Sequence, residues 1–516
     1  MAGLLFYHRV YLARLFRNLN RRDLAFLSII ILSAAILRFM VIPHMHYVYY
    51  DEFHFMNVAQ NMYYHNNPGS TLIGDKLHPE FISGDIRPGG YSFLISLFIR
   101  LFGDSQSVPF YMNSFFGTVS VLLVFIVAFL LLGDAKVGLW SALVFSLTPL
   151  HLKYSGSGSS DISALCFILL LVSVALLYAR YKRKSLLYLL SSVLVYSSYI
   201  RPENAFLFIP FLFALFIELK KSRVEKGQVL NIIYFSVILL VPLLARVPQM
   251  LQTERNSAGG VFWSFGHFLE NAPDNIKYLF SVKYNLILAA VFFLLGSAQL
   301  FIRRRGLFYL LIGWFAAFFL IYSFFFGGDF LPEKTIDSER HFLLCLLPFS
   351  IISGYGINRA LAYFFRARFL YVAFAVALCA ALVLNCRHAF VHSSREMKGM
   401  KSFKESEFIK RVGDKLPADI YILDYNAPYF ISGFNKKAVN SHALFSSGFF
   451  PEQLILFKGY WWHRLKDSSA EKEIFLKGLY DFELLQETEI APGLNYSFEK
   501  LKLKADVKRS LGKICE

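Results

Sequence analysis

Long apolar runs separated by short blocks of Lys and Arg leave this chain few folds to choose from. An α-helix rises about 1.5 Å per residue, so a run of roughly 17–22 apolar residues crosses about 30 Å of hydrocarbon. Such runs fall near 24–41, 109–132, 136–152, 162–179, 185–199, 204–219, 230–247, 284–302, 307–326, 342–358 and 369–386. They predict a multi-pass, all-α membrane protein of about eleven transmembrane helices. With 56% of its 516 residues hydrophobic, 56 of them Phe and 29 Tyr, the chain is excluded as a soluble enzyme or a disordered polymer.

The basic blocks set the orientation. Arg9 to Arg22, Arg180 to Lys184, Lys220 to Arg223, Arg303 to Arg305 and Arg359 to Arg368 are expected on the cytoplasmic side. The net charge of +17 comes largely from these blocks rather than from a binding stripe, so nucleic acid is excluded as a partner. The first run is followed by no small-residue cleavage site and reads as a retained span. Tyr91 to Phe102 is apolar but short, and Arg100 interrupts it. Letting it cross would invert every later basic block, so it reads as an interfacial or re-entrant helix. Cys166, Cys345, Cys379, Cys386 and Cys515 show no metal-ligand spacing, and the first three lie inside spans as small hydrophobes. Cys386 and Cys515 share the outer side, where pairing is left open.

This threading gathers polar residues on the outer side. The first outer loop, about 42–90, carries Asp51, Glu52, Asp75, His78, Asp85 and Arg87. Later edges carry Lys153, Asp161, Arg201, Glu203, His267, Asp274, Glu339 and Arg340. Ionisable groups at a membrane edge are costly enough to mark function by default, and Asp51-Glu52 is the most conspicuous pair. Residues 1–388 therefore read as the transmembrane catalytic domain. Residues 389–516, less apolar and mixed in charge, read as a small extracytoplasmic α/β domain. There 419–424 and 496–503 are expected strands and 451–465 a helix, with no glycine-rich phosphate loop.

Four motifs together resemble the GT-C glycosyltransferases, in particular the branch of protein O-mannosyltransferases and the lipid A aminoarabinose transferase. They are Asp51-Glu52-Phe53-His54-Phe55 with Ala59, Arg87-Pro88-Gly89-Gly90-Tyr91, Ser160-Asp161 opening a span, and Glu339-Arg340-His341 running into Leu346-Leu347-Pro348. The resemblance implies a GT-C-like fold and transfer of a sugar from a polyprenyl- or dolichyl-phosphate carrier to a glycan, lipid or protein acceptor on the outer face. The chain departs from the family pattern at Ile86, where an acidic residue often precedes the basic one; Asp85 lies one position further back.

The residue chemistry fits such a reaction. A phosphate leaving group needs no strong general acid, so one carboxylate base suffices, and Asp51 is the expected base, with helix capping as its alternative role. Glu52 reads as an orienting group, a metal ligand or a solvated charge. Arg87 is the expected phosphate clamp, because a guanidinium engages phosphate bidentately. His54, Lys153, Asp161, Arg201 and Arg340 are the other candidates for binding donor phosphate or substrate. For Asp161 and Arg201 a structural ion pair is an equal alternative, with Glu203 as a further partner; for Arg340 the alternative is a pair with Glu339. A divalent cation is the one cofactor this reading admits, with Glu52, Asp85 and His267 as its ligands. The competing reading is a transporter or flippase of a lipid-linked sugar, but no internal repeat supports it.

Overall fold

The computed structural model describes residues 16–17, 19–84, 89–181, 183–207, 227, 234, 237, 240–241, 263–332, 338–364, 368–399, 401–413, 415–417, 419–447, 449–459, 462–463, 466–491, 494–505 and 507. In chain order the described elements begin with α1 (Arg21–Ile36), α2 (Tyr49–His65), β1 (Ser70–Gly74), β2 (Pro79–Ser83), α3 (Gly90–Phe102) and α4 (Val108–Leu132). Next come α5 (Ala135–Leu147), α6 (Pro149–Ser155), α7 (Asp161–Tyr181), α8 (Lys184–Ile200), α9 (Phe265–Leu279), α10 (Ile287–Arg303) and α11 (Arg305–Phe324). A 3-10 turn, Ser338–Cys345, leads into α12 (Leu346–Phe364), α13 (Arg368–Gly399) and α14 (Lys401–Gly413). The C-terminal elements are β3 (Tyr421–Asp424), α15 (Ala427–Phe434), β4 (Ala438–Asn440), α16 (Ser441–Ser447), β5 (Gln453–Lys458), α17 (Lys466–Leu479), β6 (Tyr480–Ala491) and β7 (Leu494–Leu503).

These elements form two compact units. The first takes Met1–Tyr47, Ile86–Tyr91 and Pro109–Ser393, and the second takes Val48–Asp85, Ser92–Val108 and Ser394–Glu516. Among the described residues six helical segments are long and apolar enough to cross a membrane: Arg21–Val41, Val108–Leu132, Asp161–Tyr181, Arg305–Phe324, Ser338–Tyr363 and Phe369–His392. The chain is a membrane protein. Two further expected spans, 185–199 and 284–302, are shorter apolar helices, and those expected at 204–219 and 230–247 lie largely outside the described residues.

The span expected at 136–152 is broken. Thr148 is extended (ψ 120°) because Pro149 disfavours the helical region for the residue before it, so α5 ends and α6 begins anew. The segment from Tyr91 forms the short helix α3, as expected for one too short to span. Helix α12 approaches its neighbours at glycines. A Cβ on Gly296 would lie 2.1 Å from Ile352 O, and one on Gly354 would lie 2.6 Å from Ser141 N. Small residues of this kind let membrane helices pack backbone to backbone.

The second unit is built on a seven-stranded sheet of order β2-β1-β4-β3-β5-β7-β6. Strand β3 pairs in parallel with β4 and β5, while β1 is antiparallel to β4 through Ile73↔Val439 and Gly74↔Ala438. The first loop thus supplies two strands and α2 to this unit, where the sequence had grouped it with the transmembrane part. An unpaired β4 edge would leave backbone donors and acceptors unsatisfied, and β1 covers it. Helix α13 runs unbroken past the expected boundary at 388.

The helix expected at 451–465 is corrected to strand β5. Its side chains alternate between two cores, Ile455 and Phe457 packing with Phe430 and Phe498, and Leu454 and Leu456 with Val439 and Leu501. A strand covered on both faces reads as a continuous apolar run, which periodicity alone does not separate from a buried helix.

At the end of β3, Asp424 is 2% exposed and accepts a hydrogen bond from the Asn426 amide at 3.2 Å. Burial pushes its carboxyl up to about 7. An unfolded Asp titrates near 3.9, so between about pH 4 and pH 7 the folded form holds the extra proton. Stability contributed here falls as pH rises through that window, by at most roughly 4 kcal/mol, and the loss is complete above the folded pKa. Hydrogen exchange at the β3 amides is expected to be faster at pH 8 than at pH 5 after correction for the intrinsic rate. Asp424→Asn should remove most of that difference; a variant retaining all of it would assign the dependence to another group.

Candidate functional site

In the first unit, the ends of four separate elements bring charged side chains to one small cavity. Asp161 opens α7, Arg201 follows α8, Glu203 lies in the 3-10 turn Pro202–Leu207, and Arg340 lies in the turn before α12; all four line the cavity with Asn204 and Tyr322. Arg201 donates to Asp161 Oδ1 and, at 3.3 Å, to Glu203 Oε1. Asp161 is only 3% exposed, and its Oδ2 has no hydrogen-bond partner among the described residues. The His341 ring stacks on Tyr322 at 4.4 Å.

A second ion pair lies in the same unit. Lys153 on α6 donates to Glu339 Oε1, and both side chains are almost fully buried. The Lys153 ammonium also lies 5.3 Å and 5.5 Å from the ring centres of Tyr47 and Tyr154, within cation–π range. Glu339 is therefore the partner of Lys153, where the sequence had offered it to Arg340. Burying the four charges of Lys153, Glu339, Asp161 and Arg201 requires close pairing, since an isolated charge in low dielectric is strongly disfavoured.

A fifth buried charge was missed in the sequence. Arg38, in the π-helical turn Leu37–Val41 that ends the first span, is fully buried. It donates to Ala34 O at 3.0 Å and Ser146 O at 3.2 Å, and its Nη2 lies 2.7 Å from His151 Nδ1. The only signal in the sequence was an arginine near the end of an apolar run, which reads equally well as snorkelling.

In the second unit, Asp51, Glu52 and His54 occupy the first turns of α2. Their placement follows from Phe53, which is 3% exposed and packs edge-on against Tyr429 at 4.8 Å and beside Gly433. Asp51 is half-buried in the first turn of α2, at the positive end of the helix dipole. Glu52 is 1% exposed, and its Oε1 accepts from the Val48 amide at 2.9 Å, capping the helix. His54 is half-buried with its ring 6.3 Å from Phe55.

Arg87 and Asp85 lie outside the described residues. Of the expected metal ligands, Glu52 has one carboxylate oxygen engaged by a backbone amide, and His267 lies in the first turn of α9. Among the described residues no three His, Cys, Asp or Glu side chains group as a metal site.

The comparisons with known proteins agree with this architecture. The family model described as dolichyl-phosphate-mannose-protein mannosyltransferase matches residues 87–245. ArnT from Cupriavidus metallidurans in the apo state has a TM-score of 0.54 at 11% identity, covering 93% of this chain and 98% of that one. The same protein bound to undecaprenyl phosphate gives 0.54 at 9% identity, covering 94% and 98%. The Archaeoglobus fulgidus oligosaccharyltransferase, tethered to an acceptor peptide, gives 0.52 at 12% identity over 82% of this chain; the chain spans 64% of that protein's length. No curated protein matches the chain in sequence. The fold is GT-C-like, and the matched segment is similar to the mannosyltransferase family that the family model describes. The matched segment from 87 to 245 contains Lys153, Asp161 and Arg201.

Proposed function

We propose that this protein transfers a sugar from a polyprenyl- or dolichyl-phosphate carrier to a hydroxyl of a glycan, lipid or protein acceptor on the extracytoplasmic face. The observation that carries the reading is the convergence of Asp161, Arg201, Glu203 and Arg340 at the helix ends of the first unit. Nucleotide sugars are scarce outside the cytoplasm, so an outward-facing transferase is best supplied with activated sugar on a lipid carrier. One structure similar to this chain in fold is bound to undecaprenyl phosphate, which fits a lipid-phosphate donor.

In this reading Arg340 and Arg87 hold the carrier phosphate. Arg201 and Lys153 are already engaged by carboxylates and act mainly by positioning, Arg201 fixing Asp161 and Lys153 fixing Glu339 beside Arg340. Asp51 takes the proton of the acceptor hydroxyl as its oxygen bonds to the anomeric carbon. The bond from that carbon to the carrier phosphate oxygen breaks, and its electron pair leaves with the phosphate. A single displacement of this kind inverts the anomeric centre. His54 assists at the phosphate, and Glu52 orients the turn that carries Asp51. The cofactor this reading admits is a divalent cation; the step at Asp51 does not depend on it.

The test incubates purified protein with a radiolabelled polyprenyl-phosphate sugar and acceptor membranes, with and without chelator. Label is expected to move into the acceptor with release of polyprenyl phosphate. Activity lost on chelation and restored by magnesium or manganese would support the cation; unchanged activity would remove it. Carrier lipid that crosses the bilayer with its sugar intact, and no transfer, would instead identify a flippase.

A further inference from the structure

A second cavity, of ≈ 530 Å³, opens at the other end of the first unit. It is lined by the loop between α4 and α5, the start of α1, Arg304 and the last turns of α12. Arg340 precedes the start of α12 and Arg359 lies near its end; Leu346 to Arg359 alone spans roughly 20 Å along the helix axis. The two sites therefore sit at opposite ends of the same helix, and nothing in the proposed reaction uses this one.

Three cations line the cavity: Lys136, Arg304 and Arg359. Among the described residues none of the three forms an ion pair with a carboxylate. Lys136 lies 5.6 Å from the ring centre of Tyr371, Arg304 donates to Leu132 O at 3.2 Å, and Arg359 lies 5.2 Å from the ring centre of Tyr355. Two carboxylates are also present. Asp134 is occupied by the Lys136 amide at 2.9 Å and by Asn358 at 3.0 Å, while Asp23 sits in the first turn of α1. The three side-chain cations exceed them by one charge.

A second observation points to a ligand. Tyr355 is 2% exposed and lines the cavity, yet its hydroxyl has no hydrogen-bond partner among the described residues; neither has Nε of Arg359. A buried phenol and a guanidinium Nε left unmet beside a cavity are donors awaiting an acceptor. Phe129, Leu132 and Val137 make the remaining wall apolar. Cations, an unmet donor and an apolar wall at a helix-bundle end suit an amphiphile with an anionic head.

We infer that this cavity binds the phosphate of an anionic phospholipid headgroup, at the membrane face opposite the sugar-transfer site. Arg304, Arg359 and Lys136 neutralise the phosphodiester and the Tyr355 hydroxyl donates to one of its oxygens. The acyl chains lie along the apolar wall. The positive-inside pattern puts this end at the cytoplasmic leaflet. The assignment is independent of the reaction: it holds whether or not the chain transfers sugar.

The test titrates the purified full-length protein in detergent with phosphatidylglycerol and counts bound lipid by native mass spectrometry, with phosphatidylcholine as the comparator. Phosphatidylglycerol should bind more tightly than phosphatidylcholine. Arg304→Gln and Arg359→Gln should each weaken it roughly five-fold, following the typical contribution of one cation near a charged leaflet. Arg304 is exposed, so its variant should fold normally, and Tyr355→Phe removes only the hydroxyl and should also weaken binding. Millimolar inorganic phosphate should leave the lipid bound. Equal binding of the two lipids, or unaltered binding in all three variants, would overturn the site. Full displacement by inorganic phosphate would overturn the lipid as its occupant and assign a soluble anion.

Discussion

Asp51→Asn should reduce turnover with a polyprenyl-phosphate sugar by 10²–10⁴-fold, roughly 3–5 kcal/mol of barrier, with little change in donor binding. Asn keeps the size and hydrogen-bonding shape of the side chain but does not accept the acceptor's proton. Folding should be largely unaffected, because α2 is held by Phe53 against Tyr429 and capped through Glu52, neither of which the change touches. The measurement is single-turnover transfer alongside donor binding to the same preparation. The base should also leave its mark on the pH profile: wild-type activity rises with pH as a carboxylate ionises, and residual activity in the variant should lack that limb. An Asp51→Asn protein that transfers at the wild-type rate would remove Asp51 as the base while leaving the fold untouched.

Lys153→Ala should be the most damaging single change to stability, at about 3–5 kcal/mol, because it strands Glu339 as a buried carboxylate whose second oxygen already lacks a partner among the described residues. Much of that loss comes from the orphaned charge rather than from the missing contact. The double variant Lys153→Met/Glu339→Leu should therefore recover most of it, since well-packed apolar replacements of a buried pair are often neutral. Thermal unfolding of the detergent-purified protein reads both variants. If single and double variants lose the same stability, Lys153 matters for its packing on Tyr47 and Tyr154 and not for its charge. Recovery of stability without recovery of transfer would show that the pair also positions Arg340 for the reaction.

Much of this architecture could be read from one chain. Apolar runs are local, and lipid as solvent demands that each be a helix, so the spans at 109–132, 162–179 and 307–326 follow almost residue for residue. Charges that end a span must stay at its end, which is why Asp161, Arg201 and Arg340 could be grouped in advance and are found around one cavity. The failures have different causes. Thr148-Pro149 carried a readable break that the apolar count overrode. Strand β5 reads as a helix in sequence because its burial on both faces erases the alternation that marks a strand.

The pairings themselves lay beyond sequence reasoning. Lys153 and Glu339 are separated by 186 positions, and nothing local says that Glu339 meets Lys153 and not its neighbour Arg340. Likewise, β1 and β2 looked like loop until β4 offered them an edge. What the sequence alone determined is the solvent: long apolar runs and basic blocks specify a membrane protein, because hydrophobic burial depends on composition along the chain. Which buried charges neutralise each other, and which strands close the sheet, was decided only in three dimensions. Electrostatic and backbone pairing depend on distances that tertiary packing creates.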